Sequence, residues 1–195
     1  MNIAAQPPVQ ADQTVYLKDY QKPAFLVESI NLDIQVYDDK TIVDSTLVMK
    51  RQTAGDLVLL GRDLELQSIQ LNGQDITPAQ YSLDSEQLVI TDAPDEVILQ
   101  TQVIIHPETN TQLEGLYKAG DLFVTQNEPE GFRKITFYPD RPDVLSVFTT
   151  RVEADKNIRF YLRMVTCLKQ VKLVKTVTLR SGKTRLKSQA ICLLV

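Results

Sequence analysis

Between Val124 and Arg133 the chain reads Val-Thr-Gln-Asn-Glu-Pro-Glu-Gly-Phe-Arg, which spaces three acceptor-bearing side chains, Gln126, Glu128 and Glu130, two residues apart. An extended strand sends side chains i, i+2 and i+4 to one face, so these three are expected to share a surface, with Val124 and Asn127 in other environments. An amide carbonyl beside an ionised carboxylate suits a protonated primary amine. An ammonium offers donors only and is held best by a charged acceptor. Spacing alone favours a plainer reading, in which these are the solvated polar positions of a half-exposed strand.

The elements around that segment read as β structure. Phe123 to Glu128 and Arg133 to Tyr138 are expected as strands, flanked by Gly120-Asp121 and Glu130-Gly131. Gln126 and Glu128 would then lie near a strand end entering a turn, where side chains reach outward from a rigid base. Asp140-Arg141-Pro142-Asp143 suits a single helical turn with Pro142 in its first position. Upstream, Ile30, Leu32, Ile34 and Val36 alternate with polar residues, and Asp38-Asp39-Lys40 turns the chain into a second strand through Val43, Leu47 and Met49. Asp56 to Gly61 is a short apolar run, and Leu64 to Leu71 leads into Asn72-Gly73, the strongest short hairpin signal. Tyr81-Ser82-Leu83, Leu88-Val89-Ile90 and Val97 to Ile105 complete a series of short strands at roughly ten-residue spacing. No window holds helical periodicity beyond two turns, and the pattern is that of an all-β, antiparallel β-sandwich.

A chain of 195 residues with 43% hydrophobic content suffices for one domain with an appendage. Residues 1–14, rich in Gln, Pro and Ala, read as a flexible lead-in. The start has neither a basic nor an apolar signal region, and no stretch approaches the ~18 apolar residues of a membrane span, so a cytoplasmic protein is expected. Charge divides the chain sharply. Residues 1–155 hold all 25 acidic residues against 11 Lys and Arg, a balance of −14, whereas residues 156–195 hold 10 Lys and Arg and no acid. Both cysteines, Cys167 and Cys192, fall in that basic stretch without a His at ligand spacing, which supports neither a zinc site nor a disulfide.

Taken together, four runs resemble the N-terminal domain of bacterial aminopeptidase N, a gluzincin zinc metallopeptidase. They are Asn110-Thr111-Gln112-Leu113-Glu114-Gly115-Leu116-Tyr117, then Gly120-Asp121, then Thr125 through Arg133, then Tyr138-Pro139-Asp140-Arg141-Pro142-Asp143. Phe148-Thr149-Thr150 and Ala154-Asp155-Lys156 fit as well. The resemblance implies a saddle-like β domain over residues 15–160 and assigns Gln126 and Glu128 to the free α-amino group of a peptide, with Asn127 between them of little consequence. It implies zinc in the full-length enzyme, held by a His-Glu-x-x-His helix with a further Glu. This chain has one histidine, His106, at a strand end beside Pro107, where it is expected to be structural or solvated, and no such motif. No metal ligand and no catalytic residue is therefore expected here, and the chain is expected to be a truncated fragment, inactive alone. A fragment cut from its catalytic domain would expose an apolar face and aggregate readily.

After Tyr161-Leu162 the resemblance stops. Arg163-Met164-Val165-Thr166 is compatible, read one nucleotide earlier, with the Ser-Asn-Gly-Asn that the family would place there. Ser181 through Arg185 and Leu186 through Leu193 fit the family's later segment after the same shift. Residues 161–195 are accordingly expected to be an out-of-frame, irregular tail whose basic composition is incidental. Two other readings stand beside the truncated aminopeptidase: a free-standing β-sandwich binding module with no enzymatic role, and a basic arm for an anionic surface. The tail lacks stacking aromatics among its apolar residues, so neither a nucleic-acid nor a membrane partner is expected.

Overall fold

The computed structural model describes residues 18, 20–127, 130–155, 159–161 and 175–180. The strands are β1 (Phe25–Val36), β2 (Thr41–Arg51), β3 (Leu57–Leu60), β4 (Glu65–Leu71), β5 (Gln74–Asp75), β6 (Tyr81–Leu83), β7 (Gln87–Ile90), β8 (Glu96–Ile105), β9 (Gly115–Ala119), β10 (Leu122–Gln126), β11 (Val147–Asp155), β12 (Arg159–Tyr161) and β13 (Lys175–Arg180). Seven form a sheet in the order β13-β11-β1-β2-β8-β4-β5, and two three-stranded sheets run β12-β10-β9 and β3-β7-β6. The architecture is that of an all-β N-terminal sandwich domain. Pairing is antiparallel except that β11 joins β1, β13 joins β11 and β12 joins β10 in parallel.

Strand alternation does what the sequence pattern requires. Along β2, Thr41, Val43, Ser45, Leu47 and Met49 turn inward while their neighbours are half exposed. In β1 the inward set changes parity, from Phe25 and Val27 to Ile30, Leu32, Ile34 and Val36. The register shift against β2 between Val27 and Ser29 accounts for it: Glu28 is the extra residue of a β-bulge, and one inserted residue flips every later side chain to the other face. The Asp38–Lys40 turn closes with Tyr37 N–H donating to the Lys40 carbonyl at 2.9 Å. Asn72 and Gly73 both take positive φ, +51° and +79°, in the turn between β4 and β5. The Asn72 side-chain oxygen also accepts the Ile98 N–H at 2.7 Å, tying that turn to β8.

One hydrophobic core is shared by the three sheets: Ile30, Leu47, Met49 and Leu99 meet Leu57, Leu59 and Leu88, and Leu116 and Phe123 join them. Burial of such side chains is worth about 1.5–3 kcal/mol each and is what holds the sheets face to face. Residues 175–180, expected in an irregular tail, instead form β13 at the edge of the large sheet, paired from Thr150↔Lys175 to Asp155↔Arg180. No helix among the described residues is long and apolar enough to cross a membrane.

Candidate functional site

The acceptor-bearing segment begins in the hairpin of β9 and β10. Gly120, at φ +60°, occupies the first central position of a two-residue turn, and pairing runs from Leu122↔Ala119 to Gln126↔Gly115. Phe123 and Thr125 point into the core, so Leu122, Val124 and Gln126 share the outer face. Val124 therefore lies on the same face as Gln126, contrary to the sequence expectation, because strict period two places positions i and i+2 together. Gln126 is the last paired residue and is half-buried. Glu128, the second expected amine acceptor, lies outside the described residues.

Glu130 does not continue the strand. It stands at φ +70° in the turn beyond β10, and its carboxylate pairs with Arg133 at 3.1 Å. Glu130 thus does not continue the acceptor row expected from spacing, since period two holds only while the strand continues. Asn127 accepts the Gly131 N–H on its backbone carbonyl at 3.4 Å, and its own side-chain oxygen is buried without a hydrogen-bond partner among the described residues.

The return of the chain is also not the strand expected over Arg133 to Tyr138. Phe132–Lys134 is a 3-10 turn, and only Tyr138 forms a bridge, exchanging backbone hydrogen bonds with Leu60 at 2.8 and 3.0 Å. The reason is burial on all sides. Phe132, Lys134, Ile135, Thr136, Phe137 and Tyr138 are all buried, so an apolar-polar alternation has no solvent face to serve. Phe132 packs edge-on to Tyr138 and Phe148, with ring centroids 5.1 and 5.7 Å away. The Tyr138 hydroxyl meets Ser146 Oγ at 2.5 Å, and burial pushes the phenol up to about 12.

Two ion pairs fix this return segment, and sequence reasoning identified neither. Asp140, buried and at φ +24°, accepts both the Arg133 backbone N–H at 3.2 Å and its Nε at 2.7 Å on one carboxylate oxygen. Lys134, buried along its stem, reaches Asp63 at 2.7 Å. The expected helical turn at Asp140–Asp143 is a single hydrogen-bonded turn, Val144 N–H to the Arg141 carbonyl at 3.1 Å. There Arg141 holds Asp143, whose carboxyl lies below its ordinary value chiefly through that hydrogen bond. The spacing of acids to bases in Tyr-Pro-Asp-Arg-Pro-Asp was the available signal, but the positive φ that aims Asp140 back at Arg133 has none.

His106, expected to be structural or solvated, caps the end of β8. Its Nδ1 lies 2.9 Å from Glu108 and 3.2 Å from the Asp39 carbonyl, and its Nε2 lies 3.2 Å from Glu65. It borders an open cleft of about 540 Å³ lined also by Asp63, Glu65, Asp84, Lys134 and Phe137. Zinc does not fit these residues: among the described residues no three His, Cys, Asp or Glu side chains stand together as metal ligands. Cys167 and Cys192 lie outside the described residues.

Comparison with known proteins agrees with this architecture. The family model for the Peptidase M1 N-terminal domain matches residues 20–172. Aminopeptidase N of Caulobacter vibrioides is 44% identical over 146 residues, covering 73% of this chain and 17% of that protein. Aminopeptidase N of Escherichia coli strain K12 is 41% identical over 149 residues, 75% of this chain and again 17% of the relative. The crystal structure of Legionella pneumophila aminopeptidase A in complex with aspartic acid superposes with a TM-score of 0.64 at 27% identity, over 69% of this chain and 16% of that one. An M1 zinc metallopeptidase from Deinococcus radiodurans, at 20% identity and a TM-score of 0.59 over 69% of this chain and 33% of its own, shares the fold. The chain thus spans about a sixth of the length of these curated relatives. By sequence and by fold, the chain belongs to the Peptidase M1 N-terminal domain family.

Proposed function

We propose that this β domain is the N-terminal part of a zinc-dependent, cytoplasmic aminopeptidase N, and that Gln126 and Glu128 hold the α-ammonium of the peptide whose first residue is released. The observation that carries the reading is the position of Gln126, the last paired residue of β10, half-buried on the outer face and two residues ahead of Glu128 in the sequence. The naming of the relatives as aminopeptidases supports the substrate class. Zinc and its ligands would come from a catalytic domain outside these residues, and it would polarise the scissile carbonyl. This domain's own part is binding and orientation.

An ammonium supplies three donors, and an amide oxygen beside a carboxylate accepts two of them while matching the charge. Gripping the amine sets how far the peptide enters, so only the first peptide bond comes within reach. A peptide with a blocked amine loses the grip. Glu130 is already paired with Arg133 and has no part in it.

The test is kinetic. In an aminopeptidase that carries residues 20–160 of this chain as its N-terminal domain, Glu128→Ala should lower kcat/KM for amino-acid anilides by about 2–3 kcal/mol, the usual worth of a charged hydrogen bond. Gln126→Ala should cost less and Glu130→Gln nothing. Unchanged turnover in Glu128→Ala would overturn the reading.

A further inference from the structure

We infer that Ser45 and Thr101 together hold one water molecule inside the sandwich, on the inner face of the large sheet. β2 and β8, which carry them, are neighbouring strands near the middle of that sheet. Ser45 and Thr101 stand directly opposite each other in the antiparallel register, and both turn into the core, where they are 3% and 4% exposed. Neither hydroxyl has a hydrogen-bond partner among the described residues. A buried hydroxyl in that condition is a cost that folded domains nearly always avoid, by a protein partner or by an ordered water.

The neighbouring side chains on the sheet offer no polar group. Leu32 and Ile69 flank the pair in its own row, Leu47 and Leu99 make the next row on one side, and Val43 and Val103 the next on the other. All six belong to the hydrophobic core, so the two hydroxyls form a polar spot within an apolar grid. Ser45 ends at its hydroxyl where Val43 and Leu47 carry branched side chains, which leaves the face lower there, and a water takes up only about 30 Å³. The Cβ atoms of directly opposed residues stand roughly 4.5–5.5 Å apart, so one water bonding at about 2.8 Å reaches both hydroxyls. Two hydroxyls give it the minimum of partners that a buried water needs. Thr41 provides the contrast: its hydroxyl is equally buried and without a partner among the described residues, but its register neighbours, Val36 and Ile105, are apolar.

Thr101→Val keeps the shape of the side chain and removes one anchor of the water. In the 195-residue chain it should lower Tm by about 2–6 °C, and Ser45→Ala should act in the same direction. The double variant should melt no lower than the worse of the two, because the second substitution removes a hydroxyl that the first has already orphaned. Thr41→Val, where no second hydroxyl faces the first across the ladder, should leave Tm unchanged or raise it. A hydrogen bond made directly between Ser45 and Thr101 would give the same coupling, so a count of internal waters decides between the two. Magnetic relaxation dispersion of the water oxygen, which counts long-lived internal waters, should find one fewer in the double variant than in the parent chain. An equal count in the two chains would overturn the inference. So would a Thr101→Val chain at least as stable as the parent, strictly additive losses from the two substitutions, or a loss in Thr41→Val as large as that in Thr101→Val.

Discussion

His106 shows how a single titrating side chain ties separate parts of the domain together. Its imidazole joins Glu65 at the start of β4, Glu108 beyond β8 and the Asp39 carbonyl in the β1–β2 turn. The hydrogen bond its Nδ1 donates to the Glu108 carboxylate is the main reason its pKa lies above the ordinary 6.5, and Glu65 adds to it. A histidine whose folded pKa is raised stabilises the fold fully below its unfolded pKa and loses that contribution as pH rises through the folded value. Urea unfolding should therefore separate the parent chain from His106→Gln more at about pH 5.5 than at about pH 8.5. A gap that does not change with pH would rule out the ion pairs as its source. The sequence placed His106 at a strand end but not its partners, because Glu65 comes from 41 residues away. Gln126 was legible because strand period alone carries it to the outer face. Glu130 was not, because its pairing with Arg133 depends on a residue at φ +70° that no pattern announces.

Among the elements, the hairpins and the strands with one solvated face follow directly from alternation and turn chemistry, as in β2, β8 and the Asn72-Gly73 turn. The segment from Phe132 to Tyr138 does not, although its sequence alternates well enough to pass for a strand. Buried on every side, it answers to packing instead: Phe132 fills the space between Tyr138 and Phe148, and Lys134 spends its charge on Asp63. Phe132→Ala should therefore destabilise the domain by about 3–5 kcal/mol in urea unfolding, the cost of emptying a closed aromatic site. A loss below about 1 kcal/mol would mean that the segment is held by its ion pairs rather than by the ring. The bulge at Glu28 leaves one trace, the adjacent polar residues Glu28 and Ser29 between Val27 and Ile30, but the alternation from Ile30 onward does not include it.

At the scale of the molecule, an acidic β domain is joined to a basic segment, and β13 brings part of that segment to the edge of the large sheet. The sandwich was readable because its core is a repeated local pattern; the parallel entry of β11 beside β1 was not, because partners such as Ser29 and Val147 lie far apart in sequence and leave no local trace. The family membership rests on residues 20–172, and the chain spans about a sixth of each curated relative's length. The claim that Gln126 and Glu128 grip an amine is tested most directly by a crystal structure of an aminopeptidase carrying this domain with an amino acid bound. The account predicts the amino nitrogen within about 2.7–3.2 Å of both the Gln126 amide oxygen and the Glu128 carboxylate. An amine held elsewhere, with those two side chains turned to solvent, would contradict it.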